Sequence, residues 1–144
     1  MRMKLCLATI GAAAMVATTL SAPVSRADDK KIDFVTDVQP ILAQSCVRCH
    51  GADPKGRKPK GKFDLTTKDT AMKGGENKDD IVPGKSGDSM VYKLLLGPVG
   101  SGDDQIGRMP YKKDKLSDDK IATIKAWIDQ GASWPDDAKV KLQP

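Results

Sequence analysis

The sequence predicts an all-α domain of small helices joined by loops. Apolar residues recur at helical spacing in several short segments, most clearly at Ile121, Ile124 and Ile128. No stretch of any length alternates apolar and polar residues as a half-buried strand would. Glycine and proline, 13 and 9 of the 144 residues, gather between the helical segments, where they turn or stop the chain.

The chain opens with Arg2 and Lys4, followed by an uncharged run from Leu5 to Ala22 rich in Ala, Leu, Val and Thr. Pro23 and Ser25-Arg26-Ala27 come next, with small residues where a signal peptidase reads. This pattern predicts a secretory signal peptide over residues 1–27, cleaved after Ala27. The run is long enough to serve as an uncleaved anchor, but its Ala/Thr/Gly composition and its ending favour removal. The expected mature domain, residues 28–144, is exported and soluble, with no stable membrane insertion. The whole chain carries +5 at neutral pH. Losing Arg2, Lys4 and Arg26 leaves it nearly balanced, which argues against nucleic acid as a partner. Cys6 leaves as well, so the mature cysteines are Cys46 and Cys49, and the single histidine is His50.

Asp28 to Asp33 reads as a loose, charged lead-in. Phe34, Val38, Ile41, Leu42 and Ser45 then follow a helical spacing that runs into Cys46. Thr36 is the expected N-cap and Asp37 falls in the first turn. Pro40 is early enough for its missing N–H to be tolerated. The helix delivers Cys46-Val47-Arg48-Cys49-His50, a Cys-x-x-Cys-His motif. Such a motif attaches a c-type haem: each thiol forms a thioether to a vinyl group, and the adjacent histidine ligates the iron. A structural zinc site would need four ligands, and only Cys46, Cys49 and His50 remain after cleavage. A thioredoxin-type pair would want a βαβ context, which is absent from the pattern. A plain disulfide in a loop is the bland alternative.

Gly51 to Lys62 is a loop in which Lys55, Arg57, Lys58, Lys60 and Lys62 face one acid, Asp53. It reads first as a solvated loop, and alternatively as a positive rim that steers an acidic redox partner. Phe63 and Leu65 precede a short helix capped by Thr67, carrying Met72 and ending at Gly74-Gly75. Asn77 to Gly84 is rich in turn residues. Ser89 is the expected cap of a helix over Met90, Val91, Leu94 and Leu95, stopped by Gly97-Pro98. The glycines between Gly97 and Gly107 would let the backbone approach the far face of a haem. In the last helix Ser117 is the N-cap, Asp118 and Asp119 fill the first turn, and Leu116 staples onto Ile121. Gly131 ends it, Trp134-Pro135 follows, and the tail from Asp136 is polar.

A haem iron held by histidine is often completed by methionine in electron carriers. Met72, Met90 and Met109 are the mature candidates. Met90 shares the register of Leu94 and reads as core, the usual place for methionine. Met109 stands in an irregular, proline-flanked loop that can present its thioether, and is the preferred ligand. Met72, Met90 and an open iron site stay as alternatives. Arg108 is a candidate partner for a haem propionate. Tyr111 and Trp127 are further cofactor-binding candidates that would either hydrogen-bond a propionate or simply pack.

These residues resemble a known family. Phe34, Val38 and Pro40-Ile41-Leu42 before Cys46, Cys49 and His50-Gly51 look like a Planctomycete-type cytochrome c domain. So do Leu65-Thr66, Gly74-Gly75, Val82-Pro83-Gly84, Ser89, Met109-Pro110, Leu116-Ser117, Ile121, Trp127-Ile128, Gly131-Ala132 and Trp134-Pro135. The resemblance covers about Phe34 to Pro135. It departs at Tyr111, where a second proline is common, and at Lys85, where an acid is frequent. It implies the class I cytochrome c fold, an all-α domain wrapped around one covalently bound haem c, with His50 the proximal and Met109 the distal iron ligand. Such domains often occur as modules of larger periplasmic proteins, whereas a signal peptide and one domain point to a free-standing carrier. The expected function is one-electron transfer between redox partner proteins in the periplasm or another exported location, without catalysis. The rivals are an open-site haem protein acting on peroxide or gases and an electron-transfer subunit of a larger oxidoreductase.

Overall fold

The computed structural model describes residues 30–52 and 56–143. The expected leader, residues 1–27, lies outside them, as do Asp53, Pro54 and Lys55 of the basic loop. The architecture is helical: α1 (Gln39–Ser45), α2 (Lys68–Lys73), α3 (Met90–Leu96) and α4 (Asp118–Asp129). A π-helical turn at Phe34–Val38 leads into α1, and single 3-10 turns lie at Lys60–Lys62, Ser86–Asp88 and Gly102–Asp104. Among the described residues no strand forms; Val99 and Ile106 make one isolated antiparallel bridge. No helix of the described residues is long and apolar enough to cross a membrane.

The first helical segment starts earlier than expected. Asp33, not Thr36, is the N-cap: its carboxylate accepts from Thr36 N–H at 2.9 Å and from the Thr36 hydroxyl. Asp37 returns the favour by accepting Asp33 N–H at 3.0 Å. A carboxylate caps a helix start with a full negative charge, and these bonds hold both acids below the ordinary carboxylate range. The wider π turn lies just before Pro40, where the ring would otherwise press on the carbonyl four residues back. The lead-in is not loose at residues 30–33. Gln130 at the end of α4 takes Ile32 N–H and donates to Lys30 C=O, at 2.8 and 2.9 Å.

Thr67 caps α2 as expected, accepting Thr70 N–H. Ser89 and Ser117 stand at the N-cap positions of α3 and α4, but neither side chain makes a capping bond. Ser89 is fully buried and its hydroxyl serves the preceding turn instead: it accepts Val82 N–H at 2.8 Å and donates to Lys85 C=O at 3.0 Å. That turn docks on the end of α4, where Gly84 N–H meets Ile128 C=O at 2.7 Å and Ser86 N–H meets Asp129 at 2.9 Å. α4 ends as its glycine predicts. Gly131 adopts φ +98°, its N–H reaches Ile128 C=O, and Ala132 N–H reaches Trp127 C=O.

The core closes around three aromatic rings. Phe34 stacks on Trp134 with centroids 4.1 Å apart, and Trp127 sits 5.8 Å from Phe34 and 6.2 Å from Trp134. Both indole N–H groups are buried and satisfied, by Ser133 and Ala138 carbonyls. Ile121, Ile124 and Ile128 complete the inward stripe of α4. The tail, expected to be polar throughout, turns one residue inward. Val140 is 1 % exposed and its N–H bonds Thr66 C=O at 2.9 Å.

Candidate haem-attachment site

The motif forms a tight turn off the end of α1. Cys46 and Val47 N–H both donate to Leu42 C=O, and Cys49 and His50 N–H both donate to Cys46 C=O, at 2.9–3.1 Å. Val47 is driven inward by this turn, while Arg48 and Cys49 are exposed. The turn has no room for a side chain after His50: a Cβ at Gly51 would stand 2.6 Å from Val47 C=O and 2.7 Å from its methyl carbon. Two backbone bonds then fix the motif to the next segment. Lys60 N–H donates to Cys49 C=O at 2.9 Å, and Leu65 N–H to His50 C=O at 2.7 Å. Phe63, buried, presents its ring edge to His50 at 5.7 Å between centroids.

Both thiols are free rather than paired. Burial among apolar neighbours, with Cys49 close by, pushes the Cys46 thiol up to about 12. It is therefore a neutral thiol in the folded chain, unlike the depressed thiolate of a redox-active pair. Among the described residues no cluster of three or more His, Cys, Asp or Glu side chains is placed to hold a metal ion.

Two buried side-chain nitrogens lack a partner among the described residues, His50 Nδ1 and Arg108 Nη1. Buried polar atoms are normally satisfied. The Arg108 nitrogen fits a guanidinium awaiting a carboxylate such as a haem propionate, while His50 Nδ1 is not the nitrogen that would ligate iron. The other nitrogen of the Arg108 fork donates to Lys113 C=O at 3.0 Å, which orients the side chain.

Met109 is half-buried against the core and its N–H bonds Leu94 C=O at 2.8 Å, so the end of α3 holds it. Met72 is also half-buried against the core, on α2. Met90 opens α3 and is half-buried, not the full core residue its register implied. The segment before Met109 forms a narrow hairpin through the Val99–Ile106 bridge. Its tip, residues 100–105, is exposed.

Trp127 takes the packing alternative. Its N–H is spent on Ser133 C=O at 2.8 Å inside the core, leaving nothing to offer a propionate. Tyr111 is 59 % exposed, with the Lys112 ammonium 5.3 Å from its ring centroid. In the basic loop, Lys62 pairs with Glu76 at 3.5 Å between two exposed side chains, while Lys58 and Lys60 are exposed.

Sequence reasoning passed over Asp80. It is 5 % exposed and its carboxylate accepts Gly75 N–H at 2.7 Å. Burial pushes its carboxyl upward, against the pull of Gly75, His50 and Asn77. Nothing in a turn-rich Asn77–Gly84 segment marks one of its acids as buried.

The model of the family described as Planctomycete cytochrome C matches residues 46–110. The matched segment begins on the first thiol of the motif and ends on the proline after Met109. A cytochrome c domain points to a haem-binding electron-transfer protein. No curated protein and no solved structure matches the chain.

Proposed function

We propose that this Planctomycete cytochrome C domain is an exported, monohaem, one-electron carrier. Cys46 and Cys49 would hold haem c through thioethers, and His50 and Met109 would ligate its iron. When bound, the haem supplies a reversible Fe(III)/Fe(II) couple. The protein's own part is to keep the ligands still. The motif turn, its backbone bonds to Lys60 and Leu65, and the Phe63 edge fix His50. The bond from Met109 N–H to α3 fixes the other candidate ligand. Arg108 would meet a propionate through its unsatisfied nitrogen. The observation that carries the reading is the family match over residues 46–110, which opens on the Cys46-x-x-Cys49-His50 turn and closes just after Met109. Contacts with redox partner proteins would be small and short-lived. The exposed Lys60, whose N–H bonds Cys49 C=O, and the exposed Lys58 would offer a rim for an acidic surface.

The double variant Cys46→Ala/Cys49→Ala tests the assignment. The wild type is expected to keep its haem through acid–acetone extraction, and the double variant to release all of it. Retention by the double variant, or release by the wild type, would contradict thioether attachment.

A further inference from the structure

The loop of residues 108–113, which carries Met109, is closed on itself from two sides. Arg108 Nη2 donates to Lys113 C=O at 3.0 Å, so the guanidinium spans the loop from its first residue to its last. Lys113 N–H donates to Pro110 C=O at 3.3 Å within the same loop. The Tyr111 ring folds back over the residue before Arg108: a Cβ at Gly107 would lie 3.2 Å from Tyr111 Cε2 and 3.3 Å from its Cδ2. The base of the loop is tied down by Met109 N–H on Leu94 C=O at 2.8 Å. Lys113 is exposed, so water could serve its carbonyl as well as Arg108 does. The other terminal nitrogen of the guanidinium, Nη1, is nevertheless buried and meets no acceptor among the described residues. Burying a charged donor without a partner is costly, and the planar fork of an arginine is shaped to hold two acceptors at once. One arm is spent on the loop, and the other suits an anionic oxygen.

We propose that Arg108 is a positioning residue for Met109: one arm of its guanidinium closes the loop on Lys113 C=O, the other donates to a propionate carboxylate of the haem, and together they keep the thioether at the iron. The inference rests on the reading of Met109 as the distal ligand. It goes beyond a propionate contact, because it makes Arg108 the tie between the cofactor and the loop that carries the ligand. A hydrogen bond between two charged groups is about twice as strong as a neutral one. Opening the loop breaks that bond together with the bond to Lys113, so Arg108 slows opening. The iron is then closed to competing ligands, which is what separates a carrier from an open haem site.

Displacement of Met109 by imidazole in the ferric, haem-loaded full chain tests this. At saturating imidazole the rate at which the far-red band is lost reports opening of the loop. Arg108→Leu removes both arms, and Arg108→Lys keeps the charge without the fork. Lys113→Gln removes an equal charge from the same loop and keeps the carbonyl. Arg108→Leu is expected to raise the plateau rate about tenfold, as loss of one hydrogen bond to a charged group predicts. Arg108→Lys should raise it too, since an ammonium is a point charge that cannot hold both acceptors. Lys113→Gln should change it less than about twofold, as screening of an exposed charge predicts. An unchanged rate in Arg108→Leu, even with a loss of stability to denaturant, would overturn the proposal, and so would an equal rise in Lys113→Gln. Should Arg108→Leu fold poorly, Arg108→Lys decides, and a wild-type rate in it overturns the role. A wild type without the far-red band would overturn the Met109 reading itself. A wild type with the band and rates indifferent to Arg108 overturns the positioning role alone.

Discussion

Alanine at Trp127 is expected to cost about 3–5 kcal/mol of folding stability, the usual loss for a buried Trp truncated to Ala. The indole is 1 % exposed and lies within 6.2 Å, centroid to centroid, of both other rings in the core. Removing it leaves a cavity between α4 and the π-helical turn at Phe34–Val38. It also strips the Ser133 carbonyl of its donor. A small domain buries too little surface to spare one large side chain. Denaturant unfolding of wild type and variant measures the difference. A loss below about 1 kcal/mol would show that the aromatic cluster does not hold the fold together.

Met109→Ala is expected to lower the midpoint potential of the haem and abolish the weak far-red ferric band that marks sulfur ligation. Thioether ligation opposite histidine raises the potential of a haem, so its removal acts in the opposite direction. The Met109 backbone is held by α3, so the substitution removes the thioether while leaving that bond available. Met72→Ala and Met90→Ala are the controls. Both should keep the band, with Met72→Ala losing some stability through its core contact. Loss of the band in either control, and its persistence in Met109→Ala, would reassign the ligand.

Some of this molecule was legible in the sequence, and the physics explains which parts. The Cys-x-x-Cys-His turn, the Thr67 cap and the Gly131 stop depend on neighbours within a few residues, and each forms as its local chemistry dictates. α4 carried its apolar stripe openly in Ile121, Ile124 and Ile128. What stayed hidden depends on distant partners. Gln130 reaches back to residues 30 and 32, which fixes a lead-in that looks loose by composition. Ser89 has the right residue type for a cap, yet a buried turn draws its hydroxyl away. Val140 is one apolar residue in a polar tail, and only Thr66 on the other side of the chain explains its burial. Within the site, the motif announced His50, whereas the bond that fixes Met109 comes from Leu94 C=O at the end of α3 and is visible only in the fold.

The most direct test of the account is the haem content and spectrum of the purified wild-type chain. The reduced protein, denatured in alkaline pyridine, should show the spectrum of a haem with both vinyl groups saturated, at one haem per chain. Before denaturation its ferric form should be low-spin. A spectrum with intact vinyl groups, or a chain that binds no haem, would contradict the central claim.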